Sequence, residues 1–382
     1  MINNTFKILI IIILISITLL INIVNRDKDI LWRTKLKGEL YNAQFYGNSK
    51  IILIGTGGLK VINLEDGKIE WIDKIGEVVY TYNQPVLYKN KLYTGTEQSE
   101  KIYEIDISTG EYLKKYDIEG KAMATQLGSK CKLYFIAREN GYDRFVLNSI
   151  DLKDETIEEI YEFHHQIKYV RDPMVINEDN IIIPIIKGYD INVIYSINIS
   201  DRKLNWKTEL PNTAARPSIL VHHKDNIYFV DSEQNTLNEL NIKTGEIENI
   251  IYIEEITRPV INYDRKNILI YGNFYSKDGI KQYYTELYVY NLKEKEMEII
   301  EKNYHNAKFS GDNVVYEYDN KIFLYNIETK DTKELYSFDK ELIDIYTSNH
   351  HLLLVLANYR RDVHAHREAA TYILLELPKI EE

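Results

Sequence analysis

The sequence predicts an all-β protein, an eight-bladed β-propeller preceded by one N-terminal transmembrane helix. Three observations predict it: a short phrase recurs at blade spacing, the segments between its copies have strand rather than helix periodicity, and one apolar run stands apart at the N-terminus. The phrase is apolar, Asn or Asp, apolar, then a polar turn. It reads Ile62-Asn63-Leu64, Ile105-Asp106-Ile107, Ile150-Asp151-Leu152, Ile197-Asn198-Ile199, Leu240-Asn241-Ile242, Tyr290-Asn291-Leu292 and Tyr325-Asn326-Ile327, with a worn copy at Leu375-Glu376-Leu377. A period of roughly 40 to 45 residues is that of a four-stranded blade.

In chain order, residues 1–7 are a short tail and 8–24 are apolar apart from Ser16, Thr18 and Asn22. A helix of about 17 residues covers roughly 25 Å, within the range that spans a bilayer. The end of the run, Ile21-Asn22-Ile23-Val24-Asn25, lacks a small-x-small cleavage pattern, and no cysteine follows that could be lipidated. An uncleaved anchor is therefore expected, with 25–29 as linker. Lys7 alone precedes the run, while Arg26, Lys28, Arg33, Lys35 and Lys37 follow it. A bare count would keep the domain inside, yet large domains translocate largely regardless of flanking charge. The expected location is the cell membrane, single-pass, with the propeller outside the cytoplasm.

The propeller is expected to fill 30–382. Its units begin near Leu40, Pro85, Gln126, Pro173, Pro217, Pro259, Ala307 and Leu342, which makes eight; seven blades is the alternative. The segment Leu31-Trp32-Arg33-Thr34 has the pattern of a blade's last strand but precedes the first unit, and the final unit ends at Leu377 without one. Strand 30–36 should therefore complete the last blade, bury Trp32 and remove exposed sheet edges. Asp66-Gly67, Thr109-Gly110 and Thr244-Gly245 supply residues that accept positive φ, as two-residue hairpins require. The Asn or Asp before each turn is read as structural, its side chain bonding the turn backbone.

Composition narrows the function. The 382 residues are 45% hydrophobic and 27% charged, ordinary for a globular chain. A net charge of −11 offers no basic groove, which argues against a nucleic-acid partner. Cys131 is alone in the chain, so no internal disulfide exists, and a small buried thiol is its expected role.

Ile102-Tyr103-Glu104-Ile105-Asp106-Ile107-Ser108-Thr109-Gly110-Glu111, Leu31-Trp32-Arg33-Thr34 and Asn205-Trp206-Lys207-Thr208 together resemble the PQQ-like propeller repeat of quinoprotein dehydrogenases and outer-membrane assembly propellers. The resemblance covers nearly everything after Ile30. It implies architecture more than activity. A quinoprotein dehydrogenase would carry adjacent cysteines, a calcium site and tryptophan-rich docking repeats, whereas this chain has one cysteine and Trp 3. The non-enzymatic branch is therefore expected, with no cofactor. No Ser nucleophile elbow, phosphate loop or HExxH pair is present.

Candidate ligand-binding residues come from a second phrase, Gln84-Pro85, Asp172-Pro173, Arg216-Pro217 and Arg258-Pro259, where blades begin. Arg171, Arg216 and Arg258 would approach the channel mouth from successive blades, joined by Gln84, Gln126 and Lys308. Such guanidinium groups suit a carboxylate or phosphate; the structural alternative pairs each with a carbonyl or with Asp172. Long loops at 137–144, 272–283 and 358–370 should share that face. The last carries Arg360, Asp362, His364, His366 and Glu368, whose alternation would point Asp362, His364, His366 and Glu368 one way in an extended segment. It is read as a solvated rim loop and no metal is expected. The functional expectation is a binding or scaffold propeller for a protein, peptide or cell-surface glycan. The alternative is a polysaccharide-acting hydrolase or lyase using carboxylates such as Asp143, Asp172 and Asp362.

Overall fold

The computed structural model describes residues 29–38, 40–55, 58–73, 85–95, 100–139, 144–163, 167, 169–170, 174–175, 179–187, 191–210, 220–231, 234–253, 260–271, 286–302, 306–357 and 370–378. These form eight antiparallel sheets, seven of four strands and one of five, as an eight-bladed β-propeller requires. Blades 1 to 8 are numbered from Leu40. The predicted anchor at 8–24 lies outside the described residues. Among the described residues no helix is long and apolar enough to cross a membrane.

The chain divides into two compact units. One comprises 1–37, 64–68 and 306–382, the other 38–63 and 69–305. The first unit holds blade 7 (Ala307–Ser310, Asn313–Tyr318, Lys321–Asn326, Thr332–Ser337) and blade 8. Blade 8 has the order Ile30–Leu36, Ala370–Glu376, His351–Ala357, Leu342–Thr347. The N-terminal strand is thus the outer strand of the last blade, as the sequence predicted. It runs antiparallel to Ala370–Glu376, with Trp32 opposite Leu374 and Leu36 opposite Ala370. Trp32 is buried at 8% exposure and donates its indole N–H to the Leu64 carbonyl at 2.7 Å.

The second unit holds blades 1 to 6, with strands between Leu40 and Ile72, Val86 and Asp117, Lys121 and Phe163, Tyr169 and Leu210, Val221 and Tyr252, and Val260 and Lys302. Their buried faces interleave between neighbours: Ile136, Phe145, Leu147 and Phe163 of blade 3 pack with Ile181, Ile183, Val193 and Tyr195 of blade 4. Apolar burial on both faces of the middle strands is what sets this sheet-on-sheet layering. Two blades start earlier than the sequence reading placed them. Blade 3 begins at Lys121 and Gln126 sits near the end of its first strand, because Gly120, with φ +81° against the Arg138 carbonyl, turns the chain earlier than a proline would signal. Blade 4 begins at Tyr169, and its first strand is split into Tyr169–Val170 and Met174–Val175, both paired with Asn180–Lys187. Pro173 itself lies outside the described residues.

The recurrent Asn or Asp is structural. Asp106 Oδ1 accepts the backbone N–H groups of Ser108 and Thr109 at 2.7 and 3.0 Å, and Asp151, Asn241, Asn291 and Asn326 repeat the bond pair. The turn differs from the two-residue hairpin expected. Asp106 and Glu111 flank a four-residue loop in which Gly110 N–H returns to the Asp106 carbonyl at 2.8 Å. Only the fourth residue after the Asn or Asp is left-handed, because the side-chain bonds shape the rest of the loop. Two-residue turns with both φ positive occur instead at Lys89-Asn90 and Asp319-Asn320.

The glycine of that turn has a second duty. Gly67, Gly110 and Gly245 each lie against an indole, that of Trp32, Trp71 and Trp206, and an added Cβ would sit 2.6 Å from the ring in each case. The same indoles donate to the carbonyls of Leu64, Ile107 and Ile242 at 2.7 to 2.8 Å. All three tryptophans of the chain are thus docking residues, each locking a strand onto a hairpin. The sequence reading missed this because it weighed tryptophan number and not the pairing of each Trp with a turn glycine.

Candidate functional site

Two residues of the predicted ligand site are described. Gln126, half-buried, faces Tyr134 across the ladder and donates Nε2–H to the neighbouring Leu127 carbonyl at 3.4 Å. Lys308 lies opposite Val315 on the first strand of blade 7. Gln84, Arg171, Arg216, Arg258 and the rim-loop residues Arg360, Asp362, His364, His366 and Glu368 lie outside the described residues, as do Asp143, Asp172 and Asp362 of the enzymatic alternative. Among the described residues no group of three or more His, Cys, Asp and Glu side chains could hold a metal.

The described residues show buried carboxylates that sequence reasoning passed over. Two residues before the Asx position, blade 2 carries Glu104 and blade 5 carries Glu239, exposed by only 5% and 2%. Each faces a tyrosine directly across the ladder, Tyr93 and Tyr228. Glu104 accepts from Lys91 Nζ at 2.5 Å and from Tyr116 Oη at 2.8 Å. Glu239 accepts from Tyr228 Oη at 2.9 Å, from the Asn226 amide, and from Lys295 Nζ at 3.2 Å. Burial first, and the adjacent carboxylate second, hold the Tyr116 and Tyr228 phenols above their usual range, so both keep their protons and donate hydrogen bonds. A buried carboxylate is stable only when it is satisfied in this way. Superposing the repeat copies on the Asn or Asp position is the signal that finds them.

Blade 3 has Ser149 at the same place, directly opposite Tyr134. Around it opens a cavity of about 310 Å³ lined by residues of blades 3 and 4, among them Lys132, Tyr134, Ser149, Glu158, Asp179 and Arg202. Lys132 stands where Lys91 and Asn226 stand, at the start of the second strand. Arg202, on the left-handed turn position of blade 4, stands where Lys295 stands in blade 6. Arg202 pairs with Glu158 at 3.1 Å and donates to the Glu159 carbonyl, while Asp179 accepts from the Ser200 hydroxyl at 3.2 Å.

One further carboxyl is perturbed. Glu317 of blade 7 is 5% exposed, and burial, with a smaller contribution from the neighbouring Glu341, pushes its pKa up to about 7 against a lowering hydrogen bond from Asn306.

A family model described as outer membrane protein assembly factor BamB matches residues 18–130. No curated protein matches the chain. Among solved structures, the computationally designed Ika8 protein is similar at 12% identity and a TM-score of 0.61, covering 88% of this chain and 96% of that one. BamB from Moraxella catarrhalis is similar at 13% identity and a TM-score of 0.56, covering 90% and 99%. The WD40 domain of SCAP from fission yeast is similar at 10% identity and a TM-score of 0.57, covering 90% and 96%. At these identities the likenesses are those of fold.

Proposed function

We propose, from the premise that this chain is built of PQQ-like β-propeller repeats, that it is a single-pass, membrane-anchored propeller outside the cytoplasm that binds or scaffolds a protein, peptide or cell-surface glycan. The observation that carries the reading is the match of residues 18–130 to the model of an outer-membrane assembly factor. The repeat physics supports it: turns braced by Asx bonds and indole docking make a rigid frame, and surface loops on such a frame are free to serve recognition. The anchor rests on the apolar run at 8–24.

The test has two arms. Full-length protein should stay with membranes through high-salt extraction, and protease added to intact cells should digest the propeller. Crosslinking in intact cells followed by pull-down should recover the same partner repeatedly, and a chain lacking 1–28 should lose it. Recovery of the full-length chain in the soluble fraction would end the anchored reading; protection of the domain from protease would reverse its orientation.

A second reading, a polysaccharide-acting hydrolase or lyase, draws on Glu317, whose raised pKa suits a general acid near neutrality. Release of reducing or unsaturated ends from cell-surface polysaccharide, lost in Glu317→Gln, is the result that would favour it over binding.

A further inference from the structure

We propose that the cavity between blades 3 and 4 is a carboxylate-binding site, in which an acidic ligand takes the place that a glutamate of the chain itself occupies in blades 2 and 5. The inference is independent of the partner reading above and concerns a site that the sequence did not single out.

The internal comparison supplies the chemistry. Glu239 in blade 5 is held by three donors: an amide at the start of the second strand, a tyrosine two residues on and directly across the ladder, and a lysine from the next blade's hairpin. Glu104 in blade 2 is held by an ammonium from that first position and by Tyr116. Around Ser149 the same three positions are Lys132, Tyr134 and Arg202, and all line the cavity. The ammonium and the tyrosine are kept and the glutamate is a serine, while Arg202 already pairs with Glu158, which faces Ser149 across the ladder. Serine in place of glutamate leaves space where the other blades are filled.

The two acids in the lining equal its two cations in number, but neither forms an ion pair with Lys132 among the described residues. Glu158 is engaged by Arg202, and Asp179 accepts from Ser200. Asp151, whose field Lys132 feels, spends its side chain on the backbone N–H groups of Lys153 and Asp154. Among the described residues Lys132 has no ion-pair partner within bonding distance, and its position relative to Ser149 is that of Lys91 relative to Glu104. A charge-assisted bond from ammonium to carboxylate is the strong interaction available there. At about 310 Å³ the cavity is at the small end of ligand sites and has room for a small acid. That acid is either a Glu or Asp side chain presented by a polypeptide or a free small dicarboxylate.

The experiment uses the full-length chain and two probes, glutarate and the blocked tripeptide acetyl-Gly-Glu-Gly-amide, followed by titration calorimetry and by the NMR signal of ¹³Cε-labelled lysine. At least one probe should bind in the millimolar range and shift the Lys132 signal. Binding of the tripeptide alone assigns the site to an acidic side chain, and equal or better binding of glutarate assigns it to a free acid. Ser149→Glu should raise the melting temperature by several degrees and abolish binding, because the new carboxylate then takes the Lys132 ammonium from within. Lys132→Met should weaken binding at least fivefold, and Lys114→Met, a lysine outside the cavity, should leave it unchanged. No binding of either probe at tens of millimolar overturns the proposal, as does binding that survives Lys132→Met. Should Ser149→Glu fail to fold, the equivalence with Glu104 and Glu239 is wrong and the proposal falls with it.

Discussion

Lys114 and Glu155 form an ion pair at the two positions that Trp71 and Gly110 hold one blade earlier. Trp71, Lys114 and Trp206 lie eight residues after their Asx residue and Glu158 seven after its own, each directly opposite the residue two before that Asx, and each partner lies four after the next one. Blade 3 to blade 4 inverts the charges, with Arg202 at the glycine position reaching Glu158 and the Glu159 carbonyl. One pair of positions therefore carries the seam between blades in two chemistries: an indole packed on a glycine, or opposite charges.

That equivalence predicts non-additivity. Lys114→Trp alone should destabilise, since the new ring meets the Glu155 side chain. Glu155→Gly alone should be nearly neutral, because it loses an exposed ion pair but relieves φ +63°. Together they should allow the indole to reach the Leu152 carbonyl, and the double variant should exceed the sum of the singles by about 1 to 2 kcal/mol in denaturant titration. Strict additivity would mean the two seams are not equivalent.

The same seam shows what the sequence reveals and what it hides. Local features were legible: Asx residues, turn glycines and strand alternation act within a few residues, so the eight units and the closing role of Ile30–Leu36 could be read directly. Pairings one blade apart were not, since Trp71 meets Gly110 only after two hairpins have formed. The carboxylates Glu104 and Glu239 were hidden for a related reason. In one copy, a glutamate between apolar strand residues reads as solvent-facing, and its burial follows from a lysine, asparagine or tyrosine brought across the ladder. Blade 3 misled in the other direction, because a start marked by Gly120 carries no proline.

Removal of Ile30–Leu36 should destabilise blade 8 as well as shorten the chain. Amide exchange should accelerate across Ala370–Glu376, which loses its partner strand. Trp32→Ala should cost about 3 kcal/mol or more, the range for truncating a buried aromatic. Gly67→Ala should cost a comparable amount, since its Cβ would enter the Trp32 ring at φ +69°. Unchanged exchange in Ala370–Glu376 would show that the strand is dispensable.

Arg171, Arg216 and Arg258 are the sequence-based candidates for an anion site at the blade starts. Single Gln substitutions should weaken binding of an acidic ligand and its salt dependence while leaving the melting temperature nearly unchanged. Loss of stability of about 3 to 5 kcal/mol without a ligand effect would instead identify buried structural pairs.

Glu317 makes stability depend on pH in a direction opposite to that of paired carboxylates. Its folded pKa is raised to about 7 by burial, against an ordinary value of 4.5 in the unfolded chain. Below 4.5 both states are protonated and the group contributes no slope. Between 4.5 and about 7 the unfolded chain has lost the proton while the folded chain keeps it, so stability falls as pH rises and levels off above 7. The full loss is about 3 kcal/mol at 1.36 kcal/mol per pH unit. Glu317→Gln, which keeps the shape and removes the ionisation, should flatten that part of the profile and leave the variant more stable than the parent at pH 8. Denaturant titrations of both proteins from pH 4 to 8 test this. Parallel profiles would show that Glu317 ionises in the folded state at an ordinary pH, and would also remove the support it lends to an acid catalyst.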